Sequence, residues 1–138
     1  MQQDLEVTGS VRPIIYLSSS AKDTDVTVKL VDVYPDGRAF NVDDTIFRSR
    51  YREGYDKQVF MEEQKVYEIK PTPMSTSHVF QEGHRIRIEV SSSKFPQYMR
   101  NLNTGGNNYD ETEGVVAENM VHHSFQYPSK IIFSVIQN

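Results

Sequence analysis

The amino-acid sequence predicts an all-β protein, a two-sheet sandwich, with a jelly roll as the arrangement that many strands and long crossovers match best. Three observations carry this expectation. Apolar residues recur at every second position in segment after segment, which is the period of a half-buried strand. No segment sustains a 3.6-residue apolar stripe, and the nearest candidate, residues 61–70, lacks one. The six prolines interrupt most other helical candidates and mark turns.

Taken in order, residues 11–20 follow a short polar lead and read as the first strand, with Pro13 near its start, where a missing N–H does least harm. The chain turns at 21–23 into the stretch around which the rest is organised. There Val26, Val28 and Leu30 alternate with Thr27 and Lys29. At Val31 and Val33 the apolar set changes parity, which predicts a bulge or a part buried on both faces. Pro35-Asp36-Gly37 supplies turn chemistry, and a hairpin return through Arg38, Ala39 and Phe40 is expected.

Residues 41–44 read as a polar turn and 45–52 as another strand. Its alternation places Thr45, Phe47, Ser49 and Tyr51 on one face and Ile46, Arg48, Arg50 and Arg52 on the other. A loop at 53–57 leads to an extended piece at 58–64. A strand at 65–70 follows, with Tyr67 and Ile69 inward, and Pro71 and Pro73 end it. Residues 76–80 form a short strand and Glu82-Gly83 a turn. Residues 85–90 form the most regular strand, with Ile86, Ile88 and Val90 inside and Arg87 and Glu89 outside. Residues 91–108 are a long irregular passage, of a length that usually contacts something or acts. Residues 115–122 and 130–136 are the last two strands.

At 138 residues the chain is one domain, long enough to bury a core without staples. A net charge of -4 argues against a general nucleic-acid binder. With no cysteine there is no disulfide framework, no thiolate zinc site and no cysteine nucleophile. No run approaches the roughly 18 apolar residues of a membrane span. The first residues lack the basic and apolar regions of a secretory signal, so the chain reads as soluble, with its compartment open.

The search for chemistry finds little. No Gly-x-Ser-x-Gly elbow exists, and Ser91, Ser92 and Ser93 sit where a strand ends. The histidines are His78, His84, His122 and His123; neighbours on a strand face opposite ways, so the adjacent pair cannot grip one ion without a bulge. Asp23, Asp25 and Asp32 lack the six or more oxygens of a calcium loop. They read as structural groups that cap turns and pair with Arg48 and Arg50. Gly105-Gly106 is followed by neither Lys-Ser nor a helix, so it is a turn and not a phosphate cradle. The sequence therefore assigns no catalytic residue, no metal ligand and no cofactor. Tryptophan is absent, which weakens a sugar-stacking role, although Tyr16, Tyr34 and Tyr51 offer substitutes.

Several phrases then join in order. They are Asp23-Thr24-Asp25, the run from Lys29 through Pro35-Asp36-Gly37-Arg38-Ala39, Arg48-Ser49-Arg50-Tyr51-Arg52 and Thr76-Ser77-His78-Val79-Phe80. Gly83-His84-Arg85-Ile86-Arg87, Val90 through Pro96, Arg100 through Gly106, and His123 with Pro128-Ser129 follow. Together they resemble the C-terminal domain of the X-Pro dipeptidyl-peptidase/cocaine esterase family of serine hydrolases, which includes α-amino-acid ester hydrolases and glutaryl acylases. The resemblance runs from about Leu5 to Ile136, residues 5–136 forming one domain.

It implies a jelly-roll, galactose-binding-like sandwich packed on an α/β-hydrolase domain that carries the Ser-Asp-His triad and lies outside this chain. That hydrolase domain is the expected partner, with subunit contacts a second expectation and neither nucleic acid nor membrane among the partners. The expected contact surface is Phe95, Tyr98, Met99 and Leu102, apolar residues in a passage that otherwise reads as exposed. The alternative is a free-standing binding module for carbohydrate or a protein partner.

Overall fold

The computed structural model describes residues 1–136. Eight strands follow one another: β1 (Leu5–Ser19), β2 (Asp25–Val33), β3 (Ala39–Arg48), β4 (Tyr67–Ile69), β5 (Met74–Phe80), β6 (Arg85–Ser91), β7 (Asn119–His122) and β8 (Lys130–Val135). One 3-10 turn, Ser49–Tyr51, is the only helical piece among the described residues. None of their helices is long and apolar enough to cross a membrane.

The strands form two antiparallel sheets. In the first, β1 is flanked by β5 and β8 over its first half and by β4 and β7 over its second. The second has the order β3-β2-β6. Inward residues of β1 (Val7, Val11, Ile15, Leu17) meet those of β2 (Val26, Val28, Leu30), and Phe47, Ile69, Met74 and Phe80 complete the core. The fold is thus the expected all-β sandwich.

The hairpin turn at Pro35-Asp36-Gly37 is present, with Tyr34 N–H donating to the Arg38 carbonyl at 2.8 Å. The parity change in β2 also has its cause. The strand is buried along both faces, and its register with β3 shifts between Leu30 and Val31. The extra residue is Val42, on β3.

Several expectations change. The first strand starts at Leu5 and not at Val11, because Gly9 stands where the inward pattern wants an apolar residue. Its φ of +119° suits only glycine, and a Cβ there would lie 3.3 Å from that of Ser134. Residues 41–44 lie inside β3 and are not a turn; an edge strand tolerates their polarity. Strand character then ends at Arg48 instead of running to Arg52, so the arginine row along one strand face does not form. Residues 65–66 and 115–118 carry no strand, and Val90 is 37% exposed instead of inside, because β6 is an edge.

Candidate functional site

Three carboxylates are fully buried along the chain's central strand: Asp23 just before β2, Asp25 at its first position and Asp32 near its end. An ionised carboxylate in such a place costs several kcal/mol unless it is paired and hydrogen-bonded. Each of the three is.

Asp23 takes the largest share. Its Oδ1 accepts from Ser49 Oγ and from the Arg50 backbone N–H, both at 3.0 Å. Its Oδ2 accepts from Arg50 Nε at 2.9 Å, Arg50 Nη2 at 2.7 Å and Asn101 Nδ2 at 2.7 Å. The 3-10 turn makes this possible, since it turns Arg50 and its backbone N–H back toward Asp23. Asp25 receives Arg48 in a two-pronged bond, Nε to Oδ1 at 2.9 Å and Nη2 to Oδ2 at 3.2 Å. Those hydrogen bonds push the Arg48 guanidinium above its ordinary range, against the opposing effect of burial.

Asn101 links this cluster to the long passage. Its amide nitrogen also donates to Asp25 Oδ1 at 2.9 Å, so one side chain spans two buried carboxylates. Asn101 Oδ1 accepts the Asn103 N–H at 2.9 Å, and Arg50 Nη1 donates to the Gly106 carbonyl at 3.1 Å. The passage is therefore fixed at its middle. Its beginning is fixed by Lys94 paired with Asp44 of β3, and by Tyr98 OH near Asp44 Oδ1 at 3.5 Å. Burial works against the Asp44 charge, but hydrogen bonds from Lys94 and Asn41 prevail and hold its carboxyl below the usual range. Gly105, with φ of +78°, packs where a Cβ would lie 2.7 Å from Lys22 and 2.9 Å from Phe60. A side chain at Gly105 would need a left-handed backbone and a shift of the Phe60 ring.

Asp32 is held differently. Oδ2 lies 3.0 Å from His78 Nε2 and Oδ1 lies 2.9 Å from His84 Nδ1. With the carboxylate accepting, both imidazoles donate. His78 belongs to β5 of the other sheet, so the trio stitches the sandwich together. Sequence reasoning missed it. The available signal was that a carboxylate on a strand buried on both faces must have partners.

A serine and a histidine do meet: Ser18 Oγ is 2.9 Å from His122 Nε2. Ser18 is buried within β1, and the His122 ring packs on Tyr127, with no carboxylate hydrogen-bonded to it among the described residues. The pair lacks the third group that orients a base. His123 is bridged to Pro128. Among the described residues no group of three or more His, Asp or Glu side chains is placed to hold a metal ion.

Of the four expected contact residues, the structure exposes two, Phe95 at 57% and Met99 at 50%. Tyr98 and Leu102 are half-buried against the domain itself. Tyr98 and Met99 line a shallow hollow of about 320 Å³ with Ile46, Phe47, Tyr51 and Tyr55. Tyr55, 73% exposed, extends the apolar surface and was not singled out from sequence. The Arg100 guanidinium sits 4.0 Å above the Phe95 ring.

Comparison with known proteins gives a consistent result. Residues 1–132 match the family described as the X-Pro dipeptidyl-peptidase C-terminal non-catalytic domain. The chain is 47% identical over 135 residues to a cocaine esterase of Rhodococcus sp. (strain MB1 Bresler), across 96% of this chain and 24% of that protein. A crystal structure of an aminopeptidase from a marine sediment Thaumarchaeota archaeon superposes with a TM-score of 0.94 at 32% identity. An α-amino acid ester hydrolase superposes with a TM-score of 0.94 at 30% identity. Both cover 99% of this chain and 24% of the other. The chain spans about a quarter of the length of each of these relatives.

Proposed function

This chain belongs to the family of X-Pro dipeptidyl-peptidase C-terminal non-catalytic domains, and from that premise we infer that it serves a serine hydrolase of the peptidase, esterase or acylase class. In this reading it buttresses the α/β-hydrolase domain and helps to shape the substrate cleft, while the reacting groups lie in the other domain. One observation supports this most. A long passage without regular structure is locked by Asn101 to two buried carboxylates, yet it holds Phe95 and Met99 out of the core. Ordering a loop costs roughly 1–2 kcal/mol per residue, and exposing large apolar side chains on it makes sense when another surface covers them. Interdomain surfaces of this kind typically bury about 600–1,500 Å².

The test uses the longer polypeptide in which this sequence occurs. Phe95→Ser with Met99→Ser should lower its resistance to thermal inactivation, with little effect on the melting of the 138-residue chain alone. An unchanged inactivation profile would remove these residues from the interface. The 138-residue chain alone should turn over no Xaa-Pro anilide or aryl ester; turnover by the purified chain would overturn the non-catalytic reading.

A further inference from the structure

The two edges of the three-stranded sheet are finished differently. The β3 edge carries a bulge at Val42 and two acidic side chains, Asp43 and Asp44. Asp43 Oδ2 accepts the Ser75 N–H of β5 at 3.1 Å, and Asp44 takes Lys94, so this edge is closed by the other sheet and by the long passage. The β6 edge carries charge too, Arg87 and Glu89 paired beside Lys29, but it has neither a bulge nor a contact that covers it among the described residues. Its register with β2 is continuous from Arg85 to Ser91, it contains no proline, and its outer side pairs with no strand among the described residues. A regular edge left open in this way is a template for another strand.

The side chains beneath that edge are equally unfinished. Ile88 and Val90 of β6 face Ile15, Leu17, Val121 and Ile131 of the other sheet across an open seam. Two adjoining hollows of about 240 and 510 Å³ run along it and share Val90 and Val121. At one end Asn119 lines the smaller hollow, and its Oδ1 is buried with no hydrogen-bond partner.

We propose that this seam is filled by an extended segment of the same polypeptide from outside residues 1–138, added as a strand to the free edge of β6. Alternate apolar side chains of that strand seat against Ile88, Val90, Val121 and Ile131. The proposal rests on the reading of the chain as part of a longer hydrolase. Relatives in which this domain makes up 24% of the length have ample chain to supply such a segment. The seam is a separate surface from Phe95 and Met99, so the strand is an addition to the domain's own sandwich and not a part of the interface proposed above.

Amide hydrogen exchange, measured on the 138-residue chain and on the longer polypeptide, tests this directly. The outward amides of Arg85–Ser91 should exchange at least roughly tenfold more slowly in the longer polypeptide. Val90→Arg there should erase the difference, and Val90→Thr, which keeps strand propensity, should reduce it. Equal exchange in the two proteins overturns the proposal. So does β6 protection that grows with the concentration of the 138-residue chain, which would make a second copy the occupant, or a gene that encodes these residues alone. Protection around Phe95 and Met99 reports the docking surface separately: if it is absent while β6 is protected, the interface reading fails and the added strand stands.

Discussion

At its N-terminal end β2 sits among arginines, with Asp25 and the preceding Asp23 held by Arg48 and Arg50; near its C-terminal end Asp32 sits between two histidines. Both arrangements satisfy a buried carboxylate, but they differ in kind. Guanidinium stays charged throughout and grips with several donors in a fixed fork, whereas each imidazole offers one N–H and need not be charged. The arginine end also reaches outward, through Asn101 and the Gly106 carbonyl, into a passage that lies beyond the sheets. The histidine end reaches across, from β2 to β5. One end organises a surface and the other closes a core.

Breaking the arginine end should therefore cost most. Asp23→Ala leaves the Arg50 charge buried without its partner and frees Asn101, for an expected loss of about 3–5 kcal/mol in denaturant unfolding. Exchange around Asn101 should rise with it. A loss under about 1 kcal/mol would mean that water replaces the carboxylate and that the cluster is less buried in solution than it looks. Asp32→Asn should cost less, about 1–3 kcal/mol, because the amide keeps one acceptor for the two imidazole donors. Its melting should remain cooperative, with the long passage unaffected.

The smallest effect belongs to Asp44, which ties the start of the passage to β3. Its carboxyl is held below the ordinary range in the folded state. A depressed folded value contributes stability that is present above the unfolded value and is lost as pH falls through the folded one. Acidification below the usual carboxylate range should thus loosen residues 94–98, and Asp44→Asn should remove that part of the acid response. An acid profile identical in the variant would show that Lys94 does not depend on this pairing.

Period-two patterning was enough to find the sandwich, because most inward positions of β2, β5 and β6 carry apolar residues where alternation requires them. It faltered where a special residue stood in for the expected one. Gly9 hid the first third of β1, and the polar run at Asn41, Asp43 and Asp44 masked an edge strand as a turn. At the site, the residue types in the Asp-x-Asp and Arg-x-Arg phrases were visible in the sequence. The 3-10 turn that aims Arg50 at Asp23 was not, nor was the reach of Asn101 from 78 positions away. The Asp32 trio depends on a register between strands of different sheets, and a single sequence carries no record of that. Loops and cross-sheet contacts are set by tertiary closure, which local pattern does not encode.

β1 has one further consequence, for the order in which the molecule comes together. Val7 pairs with Val135, so a segment near the beginning of these 138 residues waits for one near their end. During synthesis the β2–β3 hairpin is free to form early, since its two strands are joined by a short turn. The first sheet has no such option: β8 reaches β1 only after the residues up to Val135 have been made. Contacts this distant in sequence make for slow folding. Until they close, the apolar face of β1 lacks one of its neighbours and the nascent chain depends on its surroundings to stay unaggregated.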